Sequence, residues 1–261
     1  MNVSDVYIRG GNHPYSGFVL HADEDIEALA VKLKDILTDV DTTNTLLVNF
    51  ETIGLTGFST DQLTGIVDLN LPSGHFKKWR IGEALAQVLL EENYSCLIPF
   101  SKEANTTNHN TSNTGIDIIG MTTDNNGAML LLFAEVKTSS EEAYPPQIVH
   151  SSKALSLTNQ LKDIIKNKKK RNEHMRYLAK EFGSVHPLIE QFAQAARSYI
   201  ETDEYAVYGL VVRDTAPNKN DLEKTSDALI ADTDCSSHSA QLISIHSNQL
   251  DNLVEKVQAL A

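Results

Sequence analysis

The chain has 261 residues, of which 41% are hydrophobic and 22% charged, a composition that excludes a disordered or fibrous protein and suffices for a large hydrophobic core. Its 22 basic and 35 acidic residues give a formal net charge of −13, which argues against a protein that coats nucleic acid or anionic lipid with its whole surface. Two cysteines, Cys96 and Cys235, allow neither a disulfide framework nor a paired-cysteine zinc site. The first residues lack a signal pattern and no long apolar run occurs, so we expect a cytoplasmic protein.

The N-terminal segment predicts a small α/β unit. Asp23 is a candidate helix cap, and the apolar residues after it recur at helical spacing: Ile26, Leu29, Ala30, Leu33, Ile36 and Leu37. Residues Thr45–Phe50 have the composition of a strand, and the glycine-containing stretch after them that of a loop. We therefore expect residues 1–70 to form an accessory α/β unit and residues 71–261 to form the main domain.

The main domain is predicted to begin with a mostly buried helix over Phe76–Glu92. At 100° per residue its apolar side chains cover most of the surface. A narrow polar stripe remains, formed by Arg80, Glu83, Gln87 and Glu91. A strand is expected over Ser95–Phe100, and a surface loop over Asn105–Thr114, where no residue is apolar.

The strongest strand signals are Ile116–Thr122 and Ala128–Val136, which are joined by a short segment containing Asn-Gly. Asn-Gly between apolar runs is typical of a β-hairpin. Both runs are apolar at odd and even positions, which predicts a central hairpin covered on both faces. A turn centred near Asn126 pairs residues whose numbers sum to about 252, so Asp117 is expected opposite Glu135.

The C-terminal half predicts helices and then a strand. A helical region is expected over residues 153–200 with a break near Gly183 and Pro187, followed by a buried strand over Glu204–Arg213. Residues Asp214–Ser239 are predicted to form a long acidic loop, Leu242–Ile245 an edge strand, and the C-terminus a packing helix. The expected fold class is therefore α/β, with a mixed central sheet flanked by helices.

Charge is unevenly distributed, because residues 151–180 carry nine basic and two acidic side chains. This basic segment has a charge of +7 and leaves −20 for the rest of the chain. Contact with a phosphate backbone is one interpretation; the other is a solvated helix end that the helix dipole favours. The basic residues are Lys153, Lys162, Lys166, Lys168, Lys169, Lys170, Arg171, Arg176 and Lys180.

Asp117 and Glu135 are the first candidates for chemistry. As cross-strand neighbours their Cβ atoms would lie about 5 Å apart, and two carboxylates at that distance repel each other unless a cation or a proton lies between them. Oxygen ligands of this kind suit Mg²⁺ or Mn²⁺. The alternative is that these side chains form a surface ion pair at a strand end.

Lys137 and Glu83 complete the candidate site. Lys137 follows Glu135 by two residues on a strand, so both side chains point to one face. An ammonium group there can orient a water molecule or neutralise charge on a phosphate. Glu83 would join if the polar stripe of its helix faces the hairpin. A solvated stripe is the other interpretation of Glu83, and Glu91 or Glu92 would be its substitute.

These residues resemble the motif of the PD-(D/E)XK nuclease superfamily, over about residues 74–213. The resemblance rests on the order of helix, hairpin, helix and strand, and on Gly82-Glu83-Ala84-Leu85, Gly115-Ile116-Asp117 and Glu135-Val136-Lys137. It implies a restriction-endonuclease-like core and a Mg²⁺-dependent nuclease, with the Val136 carbonyl as a further metal ligand. Ile116 stands in place of the motif's proline, and the Gln-x-x-x-Tyr motif of the RecB-like branch is absent.

The layout of the whole chain is similar to the nuclease subunit of Hachiman-type antiphage systems, which works beside a helicase. This resemblance rests on the N-terminal α/β unit, the Gly-Glu helix, the strand ending in Glu-x-Lys, the helical insertion over 153–200 and the final strand and helix. It implies DNA degradation during phage infection with a helicase as partner. A non-catalytic interaction or regulatory subunit with a nuclease-like fold is the alternative, and the motif leaves the choice between DNA and RNA open.

Overall fold

A computed structural model of the protein describes residues 1–21, 26–38, 76–99, 115–182, 187–236 and 238–260. The expected helix cap Asp23, the expected strand Thr45–Phe50 and the expected loop Asn105–Thr114 lie outside these residues. Within this part of the chain, no helix combines the length and the hydrophobicity that crossing a bilayer requires.

Strands and helices alternate along the described residues. The strands are β1 (Val3–Arg9), β2 (Tyr15–Leu20), β3 (Ile118–Thr123), β4 (Met129–Ser139), β5 (Tyr205–Arg213) and β6 (Ala240–His246). The helices are α1 (Ile26–Thr38), α2 (Lys78–Tyr94), α3 (Leu157–Lys166), α4 (Lys168–Phe182), α5 (Ile189–Thr202), α6 (Asn220–Ile230) and α7 (Leu250–Leu260).

The six strands form one mixed sheet in the order β1-β2-β6-β5-β4-β3. Strands β2, β6, β5 and β4 run parallel to one another, while β1 pairs antiparallel with β2 and β3 antiparallel with β4 at the two ends. Parallel neighbours are joined by long connections, and here these connections contain helices that cover the faces of the sheet. The predicted α/β class, a mixed sheet flanked by helices as in a restriction-endonuclease-like core, is confirmed.

A hydrophobic core lies on each face of the sheet. Helices α1, α2 and α7 pack on one face with Leu132, Ala134 and Val136 of β4. Helices α3, α4, α5 and α6 pack on the other face, with Leu131 and Phe133 of the same strand. Because side chains alternate along a strand, β4 contributes to both cores, and its even-numbered residues face α2.

Several predicted elements are confirmed. The helix predicted over Phe76–Glu92 is α2, shifted by two residues, and the strand predicted over Glu204–Arg213 is β5. In the hairpin, Ile118 pairs with Ala134 and Thr123 with Met129, so the paired numbers sum to 252 as predicted. The Asn-Gly turn signal was sufficient to predict this register.

The predicted order of strands in the sheet is wrong at both ends. Within the described residues β3, expected to be central, is an edge strand, and β6, expected at the edge, lies between β2 and β5. The position of β6 follows from the unpredicted hairpin of β1 and β2, which pairs with β6. Most side chains of β1 are exposed, so its sequence lacks the apolar pattern of a buried strand. The boundary at residue 70 lies outside the described residues and stays a prediction.

Two further predictions are wrong in detail. The expected acidic loop Asp214–Ser239 contains helix α6, whose buried face includes Leu222 and Leu229. The polar composition of this segment does not indicate a buried helix face, because one of its buried residues is charged: Asp221 is fully buried and pairs with Arg213. In place of the strand expected over Ser95–Phe100, the described residues form a single β-bridge to β3.

Candidate active site

Asp117 and Glu135 meet where β3 begins. Asp117 lies one residue before β3; its N–H donates to the carbonyl of Ala134 (3.1 Å) and its Oδ2 accepts from the N–H of Val136 (2.9 Å). The observed register ends at Ile118 and Ala134, and these two hydrogen bonds to the β4 backbone place Asp117 beside Glu135. Asp117 is held in place by the backbone of the strand that carries Glu135.

Glu135 is a buried carboxyl group with one unused oxygen. Its side chain is 1% exposed, Oε1 accepts a hydrogen bond from Lys137 Nζ at 2.7 Å, and Oε2 has no hydrogen-bond partner. Burial and the negative charge of Asp117 raise the pKa of Glu135 to about 8 against the opposing effect of Lys137. A cation beside Oε2 would relieve both the burial penalty and the repulsion from Asp117.

Glu83 approaches Asp117 from helix α2. The guanidinium of Arg80, which is 3% exposed, donates to Glu83 Oε2 at 3.3 Å. Burial lowers the pKa of Arg80, and the charges of Glu83 and Asp117 oppose that shift. Glu83, Arg80 and Asp117 line one cavity of about 50 Å³, which apolar side chains of α1, β3 and α4 enclose. The polar stripe predicted for this helix therefore faces the start of the hairpin.

The four predicted site residues form two groups: Asp117 with Glu135 and Lys137, and Asp117 with Glu83. Lys137 and Glu135 are on the face of β4 opposite α2, because Val136 between them packs in the α2 core. Glu83 lies with Arg80 on the α2 side. Across the described residues, no three His, Cys, Asp or Glu side chains form a cluster with metal-holding geometry. Ligation of a metal by Glu83, Asp117, Glu135 and the Val136 carbonyl stays a prediction.

The substitutes considered for Glu83 lie elsewhere on α2. Glu91 accepts a hydrogen bond from Gln87, and burial raises its pKa. Glu92 pairs with Lys32 and with the N-terminal ammonium group. Neither side chain lines the cavity that contains Asp117, so Glu83 is the residue of this helix that the fold places at the candidate site.

Most basic side chains of this segment lie in ion pairs with carboxylates of the same chain. Within the described residues, six of its nine basic side chains lie 2.7–3.9 Å from an acidic side chain. The pairs are Lys162 and Lys166 with Asp232, Lys168 and Arg171 with Asp203, Lys169 with Glu173, and Lys170 with Asp163. Arg171 is 2% exposed and donates to the carbonyls of Ile164 and Ile165. This arginine caps α3 and is not accessible to a phosphate group.

Two residues at the site were not singled out from the sequence. Arg80 belongs to the predicted polar stripe, and the burial of that helix is the signal that would have marked it as a partner of Glu83. His174 accepts a hydrogen bond from the N–H of Ile116, next to Asp117. No spacing in the sequence indicates this contact, because it joins residues 58 positions apart.

Comparison with known proteins gives one family. The family model described as HamA matches residues 70–261, which include α2, the hairpin and every candidate site residue. No curated protein matches the chain.

Proposed function

The chain belongs to the HamA family, a component of the Hachiman antiphage defence system, and from this membership we propose that it is a metal-dependent nuclease that hydrolyses phosphodiester bonds of DNA. The observation that carries the proposal is the buried Glu135, which lies beside Asp117 with one oxygen lacking a partner. Buried carboxylates with strongly raised pKa values are typical of functional sites. The order of Glu83, Asp117, Glu135 and Lys137 supports a PD-(D/E)XK assignment.

The residues present fit a divalent cation. Two neighbouring carboxyl groups, of which one has a free buried oxygen, are hard oxygen donors of the type that Mg²⁺ and Mn²⁺ prefer. Asp117, Glu135 and the carbonyl of Val136 would hold the ion, and Glu83 would join them from α2. When bound, the ion supplies Lewis-acid chemistry and a more acidic water molecule.

Two basic side chains, Lys137 and Arg80, support the carboxylates in the proposed reaction. Lys137 Nζ is hydrogen-bonded to Glu135 Oε1, which orients its ammonium group at the carboxylate pair. From there it can hold a water molecule through a hydrogen bond or offset negative charge on a phosphate oxygen. Arg80 fixes Glu83 through their ion pair and offsets the negative charge of Asp117.

We further propose that a helicase partner of the Hachiman system supplies the DNA. The net charge is −13, and most basic side chains of residues 151–180 pair with carboxylates of the chain itself. Because phosphate contacts by free basic groups supply most non-specific affinity for DNA, weak DNA binding by the isolated chain is expected. A partner that holds DNA would compensate for this weakness.

Cleavage of a plasmid in Mg²⁺ or Mn²⁺, with and without the partner, tests the proposal. Wild-type protein should cut, whereas Glu135→Gln and Lys137→Ala should lose at least 100-fold in rate. Glu142→Gln is the matched control, since this exposed carboxylate lies three residues beyond β4 and should leave the rate unchanged. Cleavage that persists in both site variants would show that the assignment is wrong. Matched DNA and RNA substrates decide which nucleic acid is cut.

The acidic character of the chain, with a net charge of −13, favours a second candidate function, a non-catalytic subunit that docks or regulates a partner. Mn²⁺ binding separates the two. A nuclease site should bind Mn²⁺ in wild-type protein and lose it in Asp117→Ala. A docking subunit should show no binding in either protein while still forming a complex with its partner.

A further inference from the structure

The segment that carries Asp117 enters the sheet irregularly. The ladder between β3 and β4 is regular from Ile118 onward, and a continued register would place Ile116 opposite Val136. Instead, the Val136 N–H donates to the Asp117 side chain, and the Asp117 N–H donates to the Ala134 carbonyl. Because the ladder does not extend to Ile116, the N–H of Ile116 takes its acceptor from outside the hairpin.

His174 on helix α4 provides that acceptor. Its Nε2 lies 3.3 Å from the Ile116 nitrogen, and since Nε2 accepts the hydrogen bond, the proton of the neutral ring is on Nδ1. The ring also lies directly against Gly115, where an added β-carbon would be 3.2 Å from Cε1 of His174. The imidazole is therefore packed and hydrogen-bonded against the two residues that precede Asp117.

Helix α4 forms the wall between the site and an open groove. His174, Tyr177 and Lys169 line a groove of about 630 Å³, and Tyr177 also lines the small cavity that contains Asp117 and Glu83. The helix packs against β3, and its Leu178 is buried. His174 thus connects a well-packed helix to the backbone that positions a candidate metal ligand.

We propose that His174 is a positioning residue for Asp117. By fixing the backbone of Ile116, it holds the Asp117 carboxyl group against Val136 and beside Glu135. The inference rests on the proposed function, since it assigns His174 a role in the same site. Groups that orient metal ligands typically change metal affinity or activity by 10–100-fold when they are removed.

Two variants of His174 separate positioning from packing. His174→Phe keeps a ring of similar size without an acceptor, and His174→Gln returns a side-chain oxygen at about the reach of Nε2. The control is His21→Phe, because His21 Nε2 also hydrogen-bonds, to Ser4, at an exposed position on another part of the molecule. The measurements are the Mn²⁺ dissociation constant of the full chain and the kcat and KM of DNA cleavage with its partner.

For His174→Phe we expect about a 10-fold or greater rise in the Mn²⁺ dissociation constant and a fall in kcat of about 10–100-fold. The KM for DNA should change little, His174→Gln should recover most of the loss, and His21→Phe should match wild type. Unchanged Mn²⁺ binding and kcat in His174→Phe would overturn the inference, as would a loss that the glutamine variant shares in full.

Amide hydrogen exchange over residues 115–119 in metal-free protein separates the inference from the proposed function. Faster exchange in His174→Phe than in wild type is expected, because the Ile116 N–H loses its acceptor. If wild type neither binds Mn²⁺ nor cuts DNA, the proposed function fails, and with it the role of His174 in a metal site. If wild type does both and His174→Phe does so equally, only the positioning role fails.

Discussion

Replacing Glu135 by glutamine should change how the stability of the metal-free protein depends on pH. Burial and the charge of Asp117 raise the pKa of Glu135 from 4.5 to about 8. Between these values the folded protein keeps a proton on Glu135 that the unfolded chain releases. Because the folded state then binds more protons, the free energy of unfolding should fall as the pH rises through this window.

The size of the effect follows from the two pKa values. For a single group with these values, the proton on Glu135 contributes about 3.5 kcal/mol more to the free energy of unfolding at pH 5 than at pH 8. This figure is a ceiling, because Glu135 and Asp117 titrate as a pair. Glu135→Gln cannot release this proton, so its stability should exceed that of wild type by about 2–3 kcal/mol more at pH 8 than at pH 5.

Urea unfolding at pH 5, 6, 7 and 8 in EDTA measures the difference, with Glu142→Gln as control. Adding Mn²⁺ at about 100 times its dissociation constant should stabilise wild type at pH 8 by about 2.7 kcal/mol and should leave Glu135→Gln nearly unchanged. Parallel pH profiles for wild type and Glu135→Gln would refute the argument that Glu135 is protonated in the metal-free fold. Equal stabilisation of both proteins by Mn²⁺ would refute its role as a ligand.

Three further predictions concern packing around the site and its supporting helices, and each is measured by urea unfolding. Gly82→Ala should destabilise by about 1–3 kcal/mol, since the new methyl carbon would lie 1.9 Å from Thr138 Oγ1; adding Thr138→Ala should restore most of the loss, and strictly additive effects would contradict the contact. Arg171→Met should cost about 3 kcal/mol, because two carbonyls at the end of α3 lose a buried donor, and a cost below about 0.5 kcal/mol would count against the cap. Asp221→Ala should cost about 3–5 kcal/mol by leaving Arg213 buried without its carboxylate, and a neutral result would show that this ion pair does not stabilise the fold.

The hairpin was the most predictable part of the site because its determinants are local. The Asn-Gly turn sets the register of the hairpin as far as Ile118 and Ala134, and the hydrogen bonds of Asp117 to the β4 backbone then hold it beside Glu135. The periodicity of α2 likewise predicts that Glu83 belongs to a polar stripe that lies outside the hydrophobic core. Both arguments use spacing within about 20 residues, where chain geometry limits the possible contacts.

The parts that the sequence did not predict depend on contacts between distant segments. The pairing of β2 with β6 joins the two ends of the chain, and it moves β6 from the edge to the interior of the sheet. The buried state of Arg171 depends on the end of α3 and on the ring of Tyr205. Composition identified Arg171 as part of a basic segment, but only its environment shows that its charge faces the protein interior.

This distinction changes how the charge of the chain bears on its function. A segment with a charge of +7 suggests a DNA-binding surface, yet Asp203 and Asp232 from the acidic part of the chain pair with four of its basic side chains among the described residues. Fixed internal pairs leave fewer cations for phosphate contacts, and each lost contact removes part of the salt-dependent affinity for DNA. A nuclease built in this way would depend on a partner to bring DNA to Glu135. Because the complex makes more phosphate contacts than the isolated chain, its cleavage of DNA at subsaturating concentration should fall more steeply with salt, and a steeper fall for the isolated chain would contradict this argument.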